Sequence, residues 1–268
     1  MARAKPNQLT FSVILSACAG LAALRQGNQV HAQIIAIGCK SNVFLTSALL
    51  DMYAKCGSID YARKLFDRIL KPDAVSWNAM IAGYALNGCG REALQLFEQM
   101  LQASIKPNQS TFFGVLSACN YAGLVDEGRR YFDSMSQNYG ITPRLEHYAC
   151  MVDVLGRAGC LDEAEDFINK MPLQPSGGVW RSLLGACRVY GNLDKGKNAA
   201  ECLLELEPHD ATTYVFLSNL YLVFGRWANV VKRKTTMKKL QVRKDPGCSW
   251  IEIKNKVYAF FAEVKTHP

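Results

Sequence analysis

Ten cysteines and four histidines are the residues of this chain that could ligate zinc or supply a nucleophile. Zinc sites and redox sites usually contain a Cys-x-x-Cys pair, and the sequence has none. Instead, Cys18, Cys119 and Cys187 each end a copy of the phrase Leu-Ser-Ala-Cys or Leu-Gly-Ala-Cys. A cysteine at a recurring apolar position is typical of a small buried hydrophobic residue. The pattern therefore favours packing over metal binding, and unpaired thiols indicate a reducing compartment.

Catalytic constellations are also missing from the sequence. A zinc deaminase needs His-x-Glu together with Cys-x-x-Cys, and none of the four histidines lies in such a motif. There is no Gly-x-Gly-x-x-Gly, no P-loop and no nucleophile elbow. Glu146, His147 and Cys150 are close in sequence, but they fall within one recurring helical pattern. We therefore expect this chain to be no enzyme by itself and to hold no cofactor and no metal.

Positive charge is concentrated near the C-terminus. The net charge is +8, and residues 232–256 alone contain nine Lys or Arg and two acidic residues. Two interpretations are open: a solvated helix face, or contacts to the phosphates of a nucleic acid. The candidate phosphate contacts are Lys232, Arg233, Lys234, Lys238, Lys239, Arg243 and Lys244.

An internal repeat defines the elements that must position these residues. Lys5-Pro6-Asn7 recurs 101 residues later as Lys106-Pro107-Asn108. A ladder of glycines, spaced by 31 to 36 residues, gives the finer period: Gly57, Gly88, Gly123, Gly159, Gly191 and Gly225. The ladder predicts six units in one frame, and a seventh at the N-terminus fits the frame without the glycine.

Each unit is predicted to form two helices joined at the ladder glycine, which can adopt the left-handed conformation that ends a helix. A small residue five positions after the glycine lets the two helices approach closely. No single hairpin can bury its own apolar face, whereas stacked hairpins share a continuous core. The predicted fold class is all-α, a right-handed α-solenoid. A short C-terminal β-hairpin is expected around residues 254–256, because an apolar run lies on each side of them.

Three phrases connect the chain to a known family: Val-Ser-Trp-Asn-Ala-Met-Ile-Ala-Gly-Tyr at 75–84, Asp-Met-Tyr-Ala-Lys-Cys-Gly at 51–57, and Ala-Gly-Leu-Val-Asp-Glu-Gly-Arg-Arg-Tyr-Phe at 122–132. They resemble the plant PLS class of pentatricopeptide repeat (PPR) proteins, as does His-Tyr-Ala-Cys-Met-Val-Asp at 147–153. Tetratricopeptide repeats differ because their length is fixed at about 34 residues. The resemblance extends from Lys5 to the C-terminus.

The resemblance also implies how the chain is divided. Residues 1–7 end a preceding repeat, and residues 8–176 form five repeats. The five repeats are L-type at 8–42, S-type at 43–73, P-type at 74–108, L-type at 109–144 and S-type at 145–176. Two degenerate E-type repeats are expected at 177–245, and an extended-E tail with the hairpin is expected at 246–268.

Proteins of this kind bind one base per repeat through two or three side chains. By resemblance, these are the fifth residue of the first helix and the last residue of the repeat. The implied base-reading pairs are Ser12 with Asn42, Ser47 with Asp73, and Asn78 with Asn108. Family tendencies suggest adenine, guanine and a pyrimidine for them, in that order. Phe44 and Val75 hold positions that pack on base faces, whereas Phe113 and Ala149 hold the base-reading position in two units without a polar group.

A structural interpretation of the same residues stays open. Asp and Asn often cap the N-terminus of a helix, so Asp73 and Asn108 could simply cap the helix that follows each of them. The two roles are compatible, because a capping carboxylate or amide keeps further hydrogen-bonding positions.

The resemblance implies a sequence-specific single-stranded RNA-binding protein that acts as a site-specificity factor for C-to-U RNA editing in a mitochondrion or chloroplast. Its E region is expected to recruit a DYW-type cytidine deaminase, together with multiple organellar editing factor proteins. Further repeats are expected upstream, since three base-reading pairs cannot specify a unique site. The alternatives are an organellar RNA binder for splicing, stability or processing, and a tetratricopeptide-like protein scaffold. No membrane partner is expected, because the apolar runs are far shorter than a span of roughly 18 residues.

The base-reading assignment makes a specific prediction for Ser47. Replacing it, as Ser47→Asn, is expected to shift the preferred base at that position from guanine toward uracil by several-fold, because the amide offers a different set of donors and acceptors. Filter binding with RNAs that differ only at that base measures the shift. An unchanged preference would contradict the pairing of Ser47 with Asp73.

Overall fold

The computed structural model of the chain describes residues 6–39, 42–240, 248–253 and 256–261. The described residues form fourteen α-helices followed by two β-strands. The helices are α1 (Gln8–Gly20), α2 (Leu24–Ala36), α3 (Val43–Lys55), α4 (Ile59–Phe66), α5 (Ala74–Leu86), α6 (Gly90–Gln102), α7 (Gln109–Ala122), α8 (Val125–Gln137), α9 (Leu145–Arg157), α10 (Leu161–Asn169), α11 (Gly177–Tyr190), α12 (Leu193–Leu206), α13 (Ala211–Val223) and α14 (Trp227–Lys239). The predicted all-α solenoid with a C-terminal β-hairpin is confirmed. None of the described helices has the length and apolar character needed to cross a membrane.

Odd-numbered helices are the first helices of the hairpins, and even-numbered helices are the second. Every first helix has 13 or 14 residues, whereas α4 and α10 have only 8 and 9. The other described second helices have 13 or 14. The alternation in repeat length therefore arises in the second helix, which is shorter by about one turn of 3.6 residues in the repeats predicted to be S-type.

The turns between paired helices have the predicted backbone conformation. The six ladder glycines all have positive φ, between 66° and 79°. In the N-terminal unit the corresponding residue is Ala22, which lies five positions before Gly27 and also has a positive φ, of 50°. Left-handed backbone costs an L-residue roughly 1–2 kcal/mol, so this turn forms because the packing around it dictates the geometry.

The chain divides into two compact units, Met1–Ala186 and Cys187–Pro268, with the boundary inside α11. In the first unit, α1, α3, α5 and α7 each pack against the next first helix along the chain, and the first helices from α1 to α9 each pack against their own second helix. The core is continuous, and its largest fully buried side chains include Phe11, Leu50 and Phe97.

In the second unit α12 packs on α13, and α13 packs on α14. The close approach of α12 requires Gly196, because a Cβ there would meet the side chain of Leu220 at 2.5 Å. The strands β1 (Cys248–Ile253) and β2 (Lys256–Phe261) are antiparallel, and the register places Ile253 opposite Lys256. The hairpin predicted around residues 254–256 is therefore present.

The positive φ of Ala22 predicts the effect of two substitutions. Ala22→Gly is expected to raise the free energy of unfolding by up to about 1 kcal/mol, because glycine relieves the left-handed strain but gains entropy in the unfolded chain. Gly57→Ala, at the equivalent turn of the next unit, is expected to lower it by about 1–2 kcal/mol. Urea unfolding measures both changes. Equal effects of the same sign would contradict the assignment of left-handed backbone strain to Ala22.

Candidate nucleic-acid interface

The first helices α1, α3, α5 and α7 line an open groove of about 750 Å³ in the first unit. We call it the base groove. It brings together five of the six predicted base-reading residues and both predicted base-packing residues: Ser12, Asn42, Ser47, Asn78, Asn108, Phe44 and Val75. The remaining residue, Asp73, lines a neighbouring cavity instead.

Helical periodicity explains why these positions face the groove. Residues three and four apart lie on one face of a helix, so the second and fifth residues of each first helix point to the same side. Four such pairs line the groove: Leu9 with Ser12, Phe44 with Ser47, Val75 with Asn78, and Ser110 with Phe113. Phe44 is 76% exposed and Val75 is 52% exposed. In each of the first three repeats, the first helix therefore presents an apolar side chain beside a short polar side chain to the groove.

The Asn78–Asn108 pair is directly connected. The amide nitrogen of Asn78 donates to Asn108 Oδ1 at 3.1 Å, and Thr111 Oγ1 donates to Asn78 Oδ1 at 2.6 Å. Thr111 also accepts from the backbone N–H of Asn108 at 2.9 Å. This network fixes the orientation of both amides, and it leaves the Asn108 amide nitrogen as a donor toward the groove side.

The Ser12–Asn42 pair is connected through Gln8. The Asn42 amide nitrogen donates to Gln8 Oε1 at 2.6 Å, and Ser12 Oγ donates to the Gln8 carbonyl at 2.9 Å. Gln8 also lines the base groove. Each of these bonds uses one donor, so the second N–H of the Asn42 amide and the lone pairs of Ser12 Oγ remain for a further partner.

Ser47 and Asp73 are not brought into one cavity. The Ser47 hydroxyl is buried at the wall of the groove and has no hydrogen-bond partner among the described residues. Asp73 Oδ1 accepts from the backbone N–H and from the hydroxyl of Ser76, at 3.0 and 2.9 Å. A buried hydroxyl without a partner is costly, and because Ser47 lines the groove, rotation of its side chain would bring the hydroxyl to a polar group there.

The capping interpretation is confirmed for the residues that close the repeats. Asn7, Asn42, Asp73 and Asn108 each precede a first helix, and each side chain accepts from the backbone N–H three residues later. Capping uses one lone pair of one oxygen. The amide donors of the asparagines and the second oxygen of Asp73 are not consumed by the cap.

The structure adds groove residues that the sequence-based prediction missed. Leu9 is 72% exposed and holds the second position of α1, equivalent to Phe44 and Val75. The equivalence of Leu9 with Phe44 and Val75 could have been found from the repeat alignment in the sequence. Gln8 and Thr111 orient the base-reading side chains, but their roles depend on contacts between repeats and have no signature within one unit.

His147 and Cys150 are used for packing. His147 Nδ1 accepts from the backbone N–H of Arg144 at 3.0 Å, so Nε2–H donates to the Gln109 carbonyl at 2.9 Å. Burial raises the pKa of the Cys150 thiol to about 11, which keeps it protonated. No group of three or more His, Cys, Asp or Glu that could hold a metal occurs within the described ranges.

The candidate phosphate contacts that the structure describes lie on α14, in the second unit. Lys232, Lys234 and Lys238 are exposed. Arg233 is less exposed and lies 3.8 Å from Glu201 Oε1, so part of its charge is used within the fold. Arg243, Lys244 and the side chain of Lys239 lie outside the described residues. The phosphate role of this cluster stays a prediction.

Comparison with family descriptions gives matches along most of the chain. Residues 190–252 match the E motif. Residues 72–120 match the PPR repeat family, and residues 45–71 and 146–173 each match a PPR repeat.

Relatives of known sequence agree with these matches. A pentatricopeptide repeat-containing protein of Arabidopsis thaliana is 46% identical over 98% of this chain and 39% of its own length. Two others from the same plant, one named mitochondrial and one named chloroplastic, are 42% and 43% identical over 98% of this chain, and the match covers 29% and 31% of their own lengths. The chain thus spans less than half of the length of each of these relatives.

Solved structures support the fold. The crystal structure of the pentatricopeptide repeat protein PPR10 in complex with an 18-nucleotide psaJ RNA element superposes with a TM-score of 0.59, at 18% identity, over 90% of this chain and 41% of that one. The PPR domain of Arabidopsis thaliana protein-only RNase P 1, in complex with tRNA, gives 0.52 at 21% identity over 64% of this chain and 94% of that one.

Proposed function

This chain belongs to the pentatricopeptide repeat family and contains an E motif, and on that premise we propose that it binds single-stranded RNA sequence-specifically, one base per repeat. The observation that carries the proposal is the base groove, where an exposed apolar side chain and a short polar side chain recur on successive first helices. PPR10, which shares the fold, has been crystallised with an RNA element.

The apolar side chains supply affinity that is independent of sequence. Bases stack on aromatic and apolar surfaces with a gain of roughly 1–3 kcal/mol per base. Leu9, Phe44 and Val75 lie on successive first helices of the stack and line one groove, so a base between two of them contacts apolar surface on both faces. Such contacts need splayed, unpaired nucleotides, which favours single-stranded RNA over a duplex.

The polar side chains supply discrimination between bases. In the third repeat, Thr111 donates a hydrogen bond to Asn78 Oδ1, and Asn78 donates one to Asn108 Oδ1. These bonds fix both amides, so the pair presents a defined arrangement of hydrogen-bond donors and acceptors to a base edge. In the second repeat, the Ser47 hydroxyl has no hydrogen-bond partner among the described residues, and it gains one when its side chain rotates toward a base edge in the groove. A site that leaves a buried polar group unpaired with the wrong ligand discriminates strongly.

The finer function that we propose is site specificity for C-to-U editing of organellar transcripts. The E motif match at residues 190–252 supports it, as do relatives named for a mitochondrion and for a chloroplast. The chain has no His-x-Glu and no Cys-x-x-Cys. The zinc deaminase must therefore be supplied by another chain or another domain. A DYW-type deaminase and multiple organellar editing factors are the proposed partners.

Substitutions in the groove test the RNA-binding proposal. Phe44→Ala and Val75→Ala are each expected to weaken binding of an RNA with an adenine-guanine-pyrimidine core by roughly 5- to 50-fold, because each removes a stacking surface. Leu70→Ala is the matched control, since Leu70 is 99% exposed and does not line the groove. Filter binding at fixed salt measures all three.

Two outcomes would contradict the proposal. Equal affinity for cores scrambled at those three bases would remove the sequence-specific part. Absence of RNA binding at low salt, with retention of a protein partner, would replace RNA binding with a protein-scaffold function.

The editing role is tested in the plant that encodes the chain. Loss of the gene is expected to abolish C-to-U conversion at one or a few organellar sites whose upstream bases fit the groove, and a Phe44→Ala transgene should restore it poorly. Transcript sequencing measures conversion at each site. Normal editing together with a splicing or stability defect would favour the alternative role in RNA processing.

A further inference from the structure

A second cavity, of about 650 Å³, lies in the first unit beside the base groove. It is open to solvent on one side and is lined by α2, α3, the end of α4, the start of α5 and the segments that connect them. Asn42 lines both spaces, so the two are adjacent at the last residue of the first repeat. We call this space the junction cavity, because it lies where an L-type unit meets an S-type unit.

At the equivalent helix positions of the second L-type and S-type units, three aromatic rings pack together. Phe132, Tyr148 and Phe167 pack with ring centres 5.1 to 5.6 Å apart. They are the eighth residue of α8, the fourth of α9 and the seventh of α10.

At the first junction the same helix positions carry smaller side chains. The eighth residue of α2 is His31, the fourth of α3 is Thr46 and the seventh of α4 is Leu65. All three line the junction cavity. The cavity is therefore the space that the ring cluster fills in its repeat-equivalent, opened here by three substitutions at matched positions.

The cavity walls suit a flat heterocycle. Ile34, Leu49 and Ile69 give an apolar lining. His31 adds one polar group with a defined tautomer: Tyr53 donates its hydroxyl to Asn28 Oδ1, so it accepts from His31 Nδ1–H at 2.9 Å. Burial lowers the pKa of His31, which keeps the imidazole neutral. Its Nε2 is then a hydrogen-bond acceptor that an exocyclic amine could use.

The cavity also carries positive charge at exposed positions. Arg68 and Lys71 line it, are exposed, and form no ion pair in the part of the chain that the structure describes. The one carboxylate of the lining, Asp73, is held by two hydrogen bonds from Ser76. A phosphate at Arg68 and Lys71 is thus electrostatically favoured, and the guanidinium can bind it bidentately.

We propose that the junction cavity is an accessory subsite for one extra, unstacked nucleotide of the bound RNA, with its base in the apolar slot and its phosphate at Arg68 and Lys71. The nucleotide would lie between those bound by the first and second repeats, since Asn42 borders both spaces. The proposal rests on the proposed RNA-binding function. It gives the chain tolerance of a one-nucleotide insertion at a single defined place.

The test uses three RNAs that share the adenine-guanine-pyrimidine core. One has no insertion, one has a nucleotide inserted between adenine and guanine, and one has it inserted between guanine and the pyrimidine. The full chain is expected to bind the first two with affinities within about twofold and the third about tenfold more weakly, because the junction cavity lies between Asn42 and Asp73, the last residues of the first and second repeats.

The cavity-filling variant His31→Phe/Thr46→Tyr/Leu65→Phe reproduces the ring cluster of the second junction. It is expected to fold with an unchanged or higher Tm, to bind the RNA without insertion normally, and to bind the adenine-guanine insertion about tenfold more weakly. The surface variant Arg68→Gln/Lys71→Gln is expected to weaken only the same insertion RNA and to reduce its salt dependence by about one phosphate contact. This variant keeps the proposal testable if the filled one does not fold.

The outcomes separate the subsite from the groove. Equal penalties for the two insertions in the unaltered chain, or normal binding of the adenine-guanine insertion by both variants, would overturn the subsite while leaving RNA binding intact. Failure of the RNA without insertion to bind at all would instead overturn the proposed function on which the subsite rests.

Discussion

The stacking of first helices on one another is the interaction on which the rest of the first unit depends. Each of α1, α3, α5 and α7 packs against the next first helix, and each buries side chains such as Leu15, Leu50, Met80 and Leu116 completely. A single helical hairpin cannot cover its apolar face, so burial by neighbours is what makes any repeat stable. Because that burial uses one side of each first helix, the second and fifth positions on another side remain open, and together they form the base groove.

The side chain at the third residue of a first helix forms hydrogen bonds that affect both the stability of the stack and the orientation of the groove side chains. Thr111 and His147 are each the third residue of a first helix, and both are completely buried. Each bonds across to the preceding repeat, Thr111 to Asn78 and His147 to the Gln109 carbonyl. The Asx residue that caps a first helix is also the predicted last reader of the repeat before it. One set of contacts thus orders the helix ends and orients the groove side chains, so a change at a cap is expected to alter folding and specificity together.

Two features of the structure depart from the repeat pattern. The same three helix positions hold aromatic rings in α8, α9 and α10 and hold His31, Thr46 and Leu65 in α2, α3 and α4. The smaller side chains at these positions line the junction cavity. Ala22 is a second departure, since it accepts a left-handed backbone where the other described turns of the ladder have glycine.

The sequence by itself determined the period, the helix pairs, the turn glycines and the positions that face the groove, because each is a local consequence of helix geometry repeated in one frame. It also predicted Ser12, Ser47 and Asn78 as groove residues, since the fifth position follows from where each first helix begins. Tertiary structure alone decided which polar groups meet: that Gln8 binds Asn42, that Ser47 finds no partner among the described residues, and that Asp73 lines the junction cavity. Those contacts join residues from different repeats, and their geometry depends on how closely neighbouring hairpins pack, which no single repeat encodes.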